Sequence, residues 1–168
     1  MTAPTLIGEH LRLRPSTRAD LDAVAAIAAE PAVSEWWGEP SRAALEAELS
    51  GDEPELTSLI VEVDGAIAGC IQFHEENEPD FRHAGIDLFL GTAWHGRGLG
   101  TETVLLVVAY LIERRGHHRI TIDPAADNAR AIRAYEKAGF RPVGVMRRYQ
   151  HLRGAWRDGL LMELVVDE

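Results

Sequence analysis

Cysteine is nearly absent from this chain of 168 residues, with Cys70 as its one example. An intramolecular disulfide and a multi-cysteine metal site are excluded by that count. Cys70 lies in the apolar run 66–73, where a buried, inert thiol is expected rather than a nucleophile. Long hydrophobic runs are also missing. The longest near-apolar stretch, 103–112, is about half of what a membrane-crossing helix needs. The first residues show no basic segment followed by an apolar core, so no secretory leader is expected and the cytoplasm is the expected compartment. Basic residues are in deficit, with 17 Lys and Arg against 27 Asp and Glu and a net charge of −10. Phosphate neutralisation needs clustered Lys and Arg, so nucleic acid is a poor candidate partner. The acid excess suits solubility, and it suits attraction of a cationic small molecule. The histidines His74, His83, His95, His117, His118 and His151 have no ligand spacing, and no metal is expected.

What is present is glycine in one place. Trp94-His95-Gly96-Arg97-Gly98-Leu99-Gly100-Thr101 follows an apolar run at 86–90 and precedes an amphipathic pattern over 102–115. Strand, glycine-rich turn and helix in that order make an anion cradle. Glycines let the backbone approach a ligand and take φ > 0. The unsatisfied N–H groups and positive end of the next helix favour phosphate. Neither a Walker A loop nor the dinucleotide fingerprint fits, because no Gly-Lys-Ser/Thr follows and the third glycine comes one residue early.

Around that turn the pattern predicts a mixed α/β (α+β) single domain over 1–168. A first strand is expected over 6–14. Thr17 then caps a helix that carries Leu21, Val24, Ala25 and Ala28 and stops near Pro31. Residues 34–38 are expected as a link, and Pro40-Ser41 as the start of a second short helix. Strands over 57–63 and 66–74 are joined by Asp64-Gly65, a hairpin signal. The polar loop 75–82 holds Glu75, Glu76, Glu78 and Asp80, either a solvated turn or a lure for a cation. A fourth strand follows at 84–90, a fifth at 119–122, a helix over 128–138 closed by Gly139, and a final antiparallel pair at 140–148 and 156–166.

This element order, the glycine turn after the fourth strand, and Asn128-Ala129-Arg130-Ala131-Ile132-Arg133-Ala134-Tyr135-Glu136-Lys137-Ala138-Gly139-Phe140 resemble the GNAT superfamily of acyl-CoA-dependent N-acyltransferases. The superfamily turn pattern is Arg/Gln-x-x-Gly-x-Gly/Ala, and here His95 stands at the Arg/Gln position. The resemblance implies the GNAT fold, with a mostly antiparallel sheet and helices on both faces. It implies acetyl-CoA as donor, held by Leu88, Phe89 and Leu90 on a splayed fourth strand, by the turn residues His95, Gly96, Arg97, Gly98, Leu99, Gly100 and Thr101, and by Asn128, Ala131 and Tyr135. It also implies that Tyr135 protonates the leaving thiolate. Asn128 and Tyr135 are two helical turns apart on one face, about 10.5 Å along the axis. Each has a plainer role open to it. Tyr135 can be a half-buried core aromatic, and Asn128 a helix cap.

Outside these motifs, Glu35-Trp36-Trp37-Gly38, Gly85-Ile86-Asp87 and Thr121-Ile122-Asp123-Pro124 resemble the aminoglycoside 6′-N-acetyltransferases. That resemblance implies Asp87 as base or amine-binding group and Asp123 as an ammonium site. Trp36, Trp37 and Gln72 are further candidates for the acceptor cleft. An acid inside the strand 84–90 needs a partner or a ligand if buried, whereas Asp123 before Pro124 also suits a turn. The last two strands, with Tyr149, His151, Trp156 and Asp158, depart most from that group. Other readings are a GNAT enzyme acting on a protein N-terminus or a siderophore-type lysine, and a CoA-binding regulatory module without turnover. A monomer or a homodimer is expected.

Overall fold

The computed structural model describes residues 2–167. Its sheet contains eight strands in the order β1-β2-β3-β4-β5-β6-β8-β7. They are β1 (Leu6–Ile7), β2 (Arg12–Pro15), β3 (Leu56–Val63), β4 (Ala66–Glu76), β5 (His83–Leu90), β6 (Arg119–Ile122), β7 (Arg141–Leu152) and β8 (Ala155–Val165). Five helices complete the described fold: α1 (Leu21–Ala28), α2 (Pro31–Trp37), α3 (Arg42–Ser50), α4 (Leu99–Glu113) and α5 (Ala129–Lys137). Every pairing is antiparallel except β5 with β6.

Alternation along the strands divides the core between two faces. Leu59, Val61 and Ile71 pack with Val104, Val107 and Leu111 of α4 and Tyr135 of α5. Ile60, Cys70 and Phe89 point the other way, onto Leu21, Val24, Val33, Leu45 and Leu49 of α1, α2 and α3. This is the period-two rule of a sheet covered on both sides. Cys70 is fully buried there, and burial pushes its thiol up to about 12, so it is inert as expected.

Two local expectations change. The first strand is two short ones, because the chain turns at Gly8, whose N–H bonds Leu11 O at 2.8 Å. Glu102 of α4 clamps that turn by accepting from the N–H groups of Glu9 and His10, each at 3.1 Å. The second change is α2, where a link was expected. Pro31 does end α1, but it also stands at the first position of α2, where its missing N–H and fixed φ cost nothing. Gly38, at φ 88°, then stops this second helix. Helix α4 starts at Leu99, three residues before its amphipathic pattern, with Gly98 as N-cap at φ 75°.

Candidate active site

The parallel pairing of β5 with β6 lasts two residues, Ala84 with Ile120 and Gly85 with Thr121. Beyond them the strands part, while β5 stays paired to β4 through Leu90. The gap opens into a cleft of about 820 Å³. It is lined by Leu88, Phe89 and Leu90 of β5, His95, Gly96, Gly98, Leu99, Gly100 and Thr101 of the turn, and Asn128, Ala131 and Tyr135 of α5. Asp87, Asp123, Trp36 and Trp37 line it too. Of the residues singled out from the sequence, Arg97 and Gln72 are outside the lining.

On one side of the cleft the glycine turn presents backbone. Gly96 and Gly98 have φ of 72° and 75°, and the first turn of α4 follows directly. The N–H groups of a helix's first turn have no partner within the helix, and these belong to residues that line the cleft. Arg97 instead swings out over the Trp94 ring, 5.2 Å from its centroid. His95 explains how the departure from Arg/Gln is accommodated. Arg130 Nη1 donates to its Nδ1 at 2.8 Å, so the proton is on Nε2, which donates to Leu90 O at 2.7 Å. The ring thus ties the end of β5 to the start of α5. Thr101 adds a second tie, from its hydroxyl to Ala134 O at 3.2 Å. Asn128 accepts from Ala131 N at 3.3 Å and so caps α5 while also facing the cleft.

The other side presents carboxylates. Asp87 is open to the cleft but surrounded by protein, and among the described residues no side chain is bonded to it. Its poor solvation, then the charges of Asp123 and Glu48, push its carboxyl up to about 7. Asp123 Oδ2 accepts from the Tyr149 hydroxyl at 2.6 Å, and that bond pushes the phenol up to about 12. Tyr135 is buried beside Phe140, and its hydroxyl has no hydrogen-bond partner among the described residues. Burial, followed by the charges of Asp87 and Asp123, holds this phenol above its usual range and therefore protonated.

The two tryptophans divide their work. Trp37 meets Phe89 edge-on at 4.8 Å in the core under α2, and Trp36 sits beneath the Arg157 guanidinium at 5.6 Å. Gln72 is opposite Asp87 in the sheet register, but its amide is spent on Glu48 Oε2 at 2.8 Å and Ser58 Oγ at 3.3 Å. The acidic segment, open to two readings in the sequence, lies away from the cleft. It joins β4 to β5 where β5 begins, at the end opposite the cleft, and Glu75 is paired with Arg115 and His117. Tyr149 is the functional candidate that sequence reasoning missed. Nothing in the sequence ties it to Asp123, 26 positions away.

The cleft thus brings together a strand parted from its neighbour, a glycine turn at the parting, the carboxyl of Asp87 and the protonated phenol of Tyr135. Residues 10–141 match the family model described as "Acetyltransferase (GNAT) domain", and the chain belongs to that family. The aminoglycoside N(6′)-acetyltransferase type 1 of Klebsiella pneumoniae is 32% identical over 133 residues, 68% of this chain and 65% of that protein. The match to the first curated relatives thus spans about 65% of their length. Spermidine N(1)-acetyltransferase of Escherichia coli K12 is 27% identical, covering 90% of this chain and 84% of its own. Among solved structures, AAC(6′)-Ib in complex with paromomycin and acetyl-CoA superposes with a TM-score of 0.78 at 27% identity, covering 94% of each chain.

Proposed function

We propose that this enzyme transfers the acetyl group of acetyl-CoA to a primary amine of a cationic small molecule, with the 6′-amine of an aminoglycoside as the favoured acceptor. One observation carries this reading. Asp87, without a side-chain partner among the described residues, lines one cleft with the glycine turn and a second acid, Asp123, and its poor solvation raises its carboxyl to about 7. An acid in that setting is suited to take a proton from an ammonium group at working pH.

The reaction then follows from the residues. The pyrophosphate of the donor rests on the amides after Gly96, at the start of α4, and Asn128 meets the pantetheine arm. The thioester lies against Leu88, Phe89 and Leu90. Asp87 accepts a proton from the ammonium, and the freed amine attacks the thioester carbonyl. The β5 amides that face the gap left by β6 hold the developing oxyanion. As the C–N bond forms, the C–S bond breaks, Tyr135 gives its proton to the departing thiolate, and the second proton shed by the new amide nitrogen restores the phenol. No covalent enzyme intermediate is required. Asp123 receives a further ammonium of the acceptor, and the Trp36 ring offers a face to a sugar.

Similarity to the spermidine enzyme, together with the acids Asp87 and Asp123 of this cleft, favours a linear polyamine as the second reading. A protein N-terminus suits the cleft less. The β7–β8 hairpin crosses to α2, where Arg153 bonds Ser34 Oγ at 2.8 Å and Arg157 bonds Glu35 O at 3.3 Å. That crossing narrows the acceptor side. The deciding experiment is thiol release from acetyl-CoA with kanamycin, a 6′-hydroxyl analogue, spermidine and an N-terminal peptide. Release with kanamycin and none with the 6′-hydroxyl analogue is expected. Release with the peptide alone overturns the acceptor assignment.

A further inference from the structure

Tyr149 is on β7, an edge strand whose residues are almost all exposed, and its own side is 47% exposed. Yet its hydroxyl is held 2.6 Å from Asp123 Oδ2. Four features aim it there. The register between β7 and β8 shifts between Met146 and Gln150. Arg148, inside that bulge, has φ 50°, a left-handed backbone that a non-glycine residue adopts only at a cost. Asp158 on β8 fixes the bulge by accepting from Arg148 N at 2.8 Å. Gly159 leaves bare backbone under the Tyr149 ring, where an added Cβ would meet ring carbons at 3.3 and 3.5 Å. Bulges at the edge of a sheet commonly re-aim a side chain in this way.

The Asp123 segment is locked to the same place. Ala126 N bonds Asp158 O at 2.9 Å, and Leu160 N bonds Pro124 O at 2.8 Å. Tyr149, Gly159 and Asp123 all line the cleft. A carboxylate on an open loop loses rotational freedom when it pairs with a cation, and that cost weakens the pair. Here the Tyr149 hydroxyl fixes one oxygen in advance and leaves the other for a ligand.

We infer that Tyr149 is a specificity-determining residue, which fixes Asp123 as the anchor for a second ammonium group and so selects acceptors with two or more cationic amines over those with one. The inference rests on the cationic-amine reading above. It assigns Asp87 to the reacting amine and the Tyr149–Asp123 pair to a non-reacting one.

The test compares kcat/KM for kanamycin, which carries several amines, with that for 6-amino-6-deoxyglucose, which carries one. In Tyr149→Phe the ratio of the two falls about tenfold, the usual weight of a hydrogen bond to a charged group, chiefly through the KM of kanamycin. Asp123→Asn lowers the ratio at least as far, and adding Tyr149→Phe to it lowers it no further. Asp158→Ala, which removes the acceptor for Arg148 N and loosens the bulge from behind, moves the ratio in the same direction. A merely structural role would lower both substrates together and leave the ratio in place. An unchanged ratio in Tyr149→Phe, or additive effects with Asp123→Asn, overturns the inference. Wild-type protein that acetylates neither amine overturns the acceptor reading itself, so the two failures are told apart.

Discussion

The two walls of the cleft are built from different materials. The donor wall is backbone: a glycine turn, the start of α4 and the capped start of α5, held together by hydrogen bonds through His95, Arg130 and Thr101. The acceptor wall is side chain: Asp87, Asp123, Tyr149 and Trp36, brought from β5, the segment after β6, β7 and α2. In the proposed reading a wall of amides holds a group common to every CoA ester. A wall of acids responds to its surroundings, and at Asp87 poor solvation first, then the charges of Asp123 and Glu48, raise the carboxyl to about 7.

Substitutions that strike one wall alone test this division. The largest effect belongs to Asp87→Asn, which removes the proton acceptor and lowers kcat/KM for the amine about a hundredfold to ten-thousandfold. The affinity for acetyl-CoA, read by calorimetry, stays within the normal range. In the intact enzyme kcat/KM rises with pH through about 7, because only the ionised carboxyl accepts a proton, and Asp87→Asn loses that step. The sign for stability is opposite. A carboxyl whose folded value is raised favours folding less as pH increases from the ordinary carboxylate range toward 7, so Asp87→Asn does not lower the melting temperature at pH 8.

Next in size is Tyr135→Phe, which removes the acid and lowers kcat about a hundredfold with little change in either KM. Equal kcat across the pH range would show that the thiolate leaves unaided. Gly98→Ala is smaller and strikes the donor wall alone. Nothing lies within 4 Å of its added methyl, so the cost is the φ of 75°, about 1–2 kcal/mol. It appears as about a tenfold weaker acetyl-CoA affinity, with the preference among amines preserved. The smallest effect on activity is that of Glu75→Gln, at the far end of the sheet. Burial opposes its ionisation, but bonds from His117 and Arg115 outweigh it and hold the carboxyl below its usual value. Its contribution is full above that usual value and fades as pH falls through the folded one. Removing the charge therefore lowers the neutral-pH melting temperature, by about 1–3 kcal/mol of stability, and leaves kcat in place.

The same division governs what could be read from the sequence. The donor wall is local. Gly96, Gly98 and Gly100 follow a strand, Asn128 and Tyr135 share one helix face, and each relation spans fewer than ten residues. Asp87 was singled out by the resemblance that Gly85-Ile86-Asp87 carries, and an acid within an apolar strand is chemically conspicuous besides. The acceptor wall joins residues far apart in the chain. Tyr149 meets Asp123 only through a bulge, and Gln72 turns from the cleft because Glu48 on α3 claims its amide. The acidic loop kept two readings open because composition carries no information about which end of a strand it occupies. Helix α2 was hidden because one proline, Pro31, both ends a helix and begins the next.

The β7–β8 hairpin has a consequence for descent with change. Most of β7 buries little, so replacing its residues costs little stability, and Leu152 is its one fully buried side chain. The donor turn shares its elements with the main core, since Leu99 and Val104 of α4 lie in it. Mutations can therefore accumulate on the hairpin and recut the acceptor pocket while the acyl-donor site is inherited intact. In such a lineage, new substrates are acquired at the rim and the chemistry is kept at the centre.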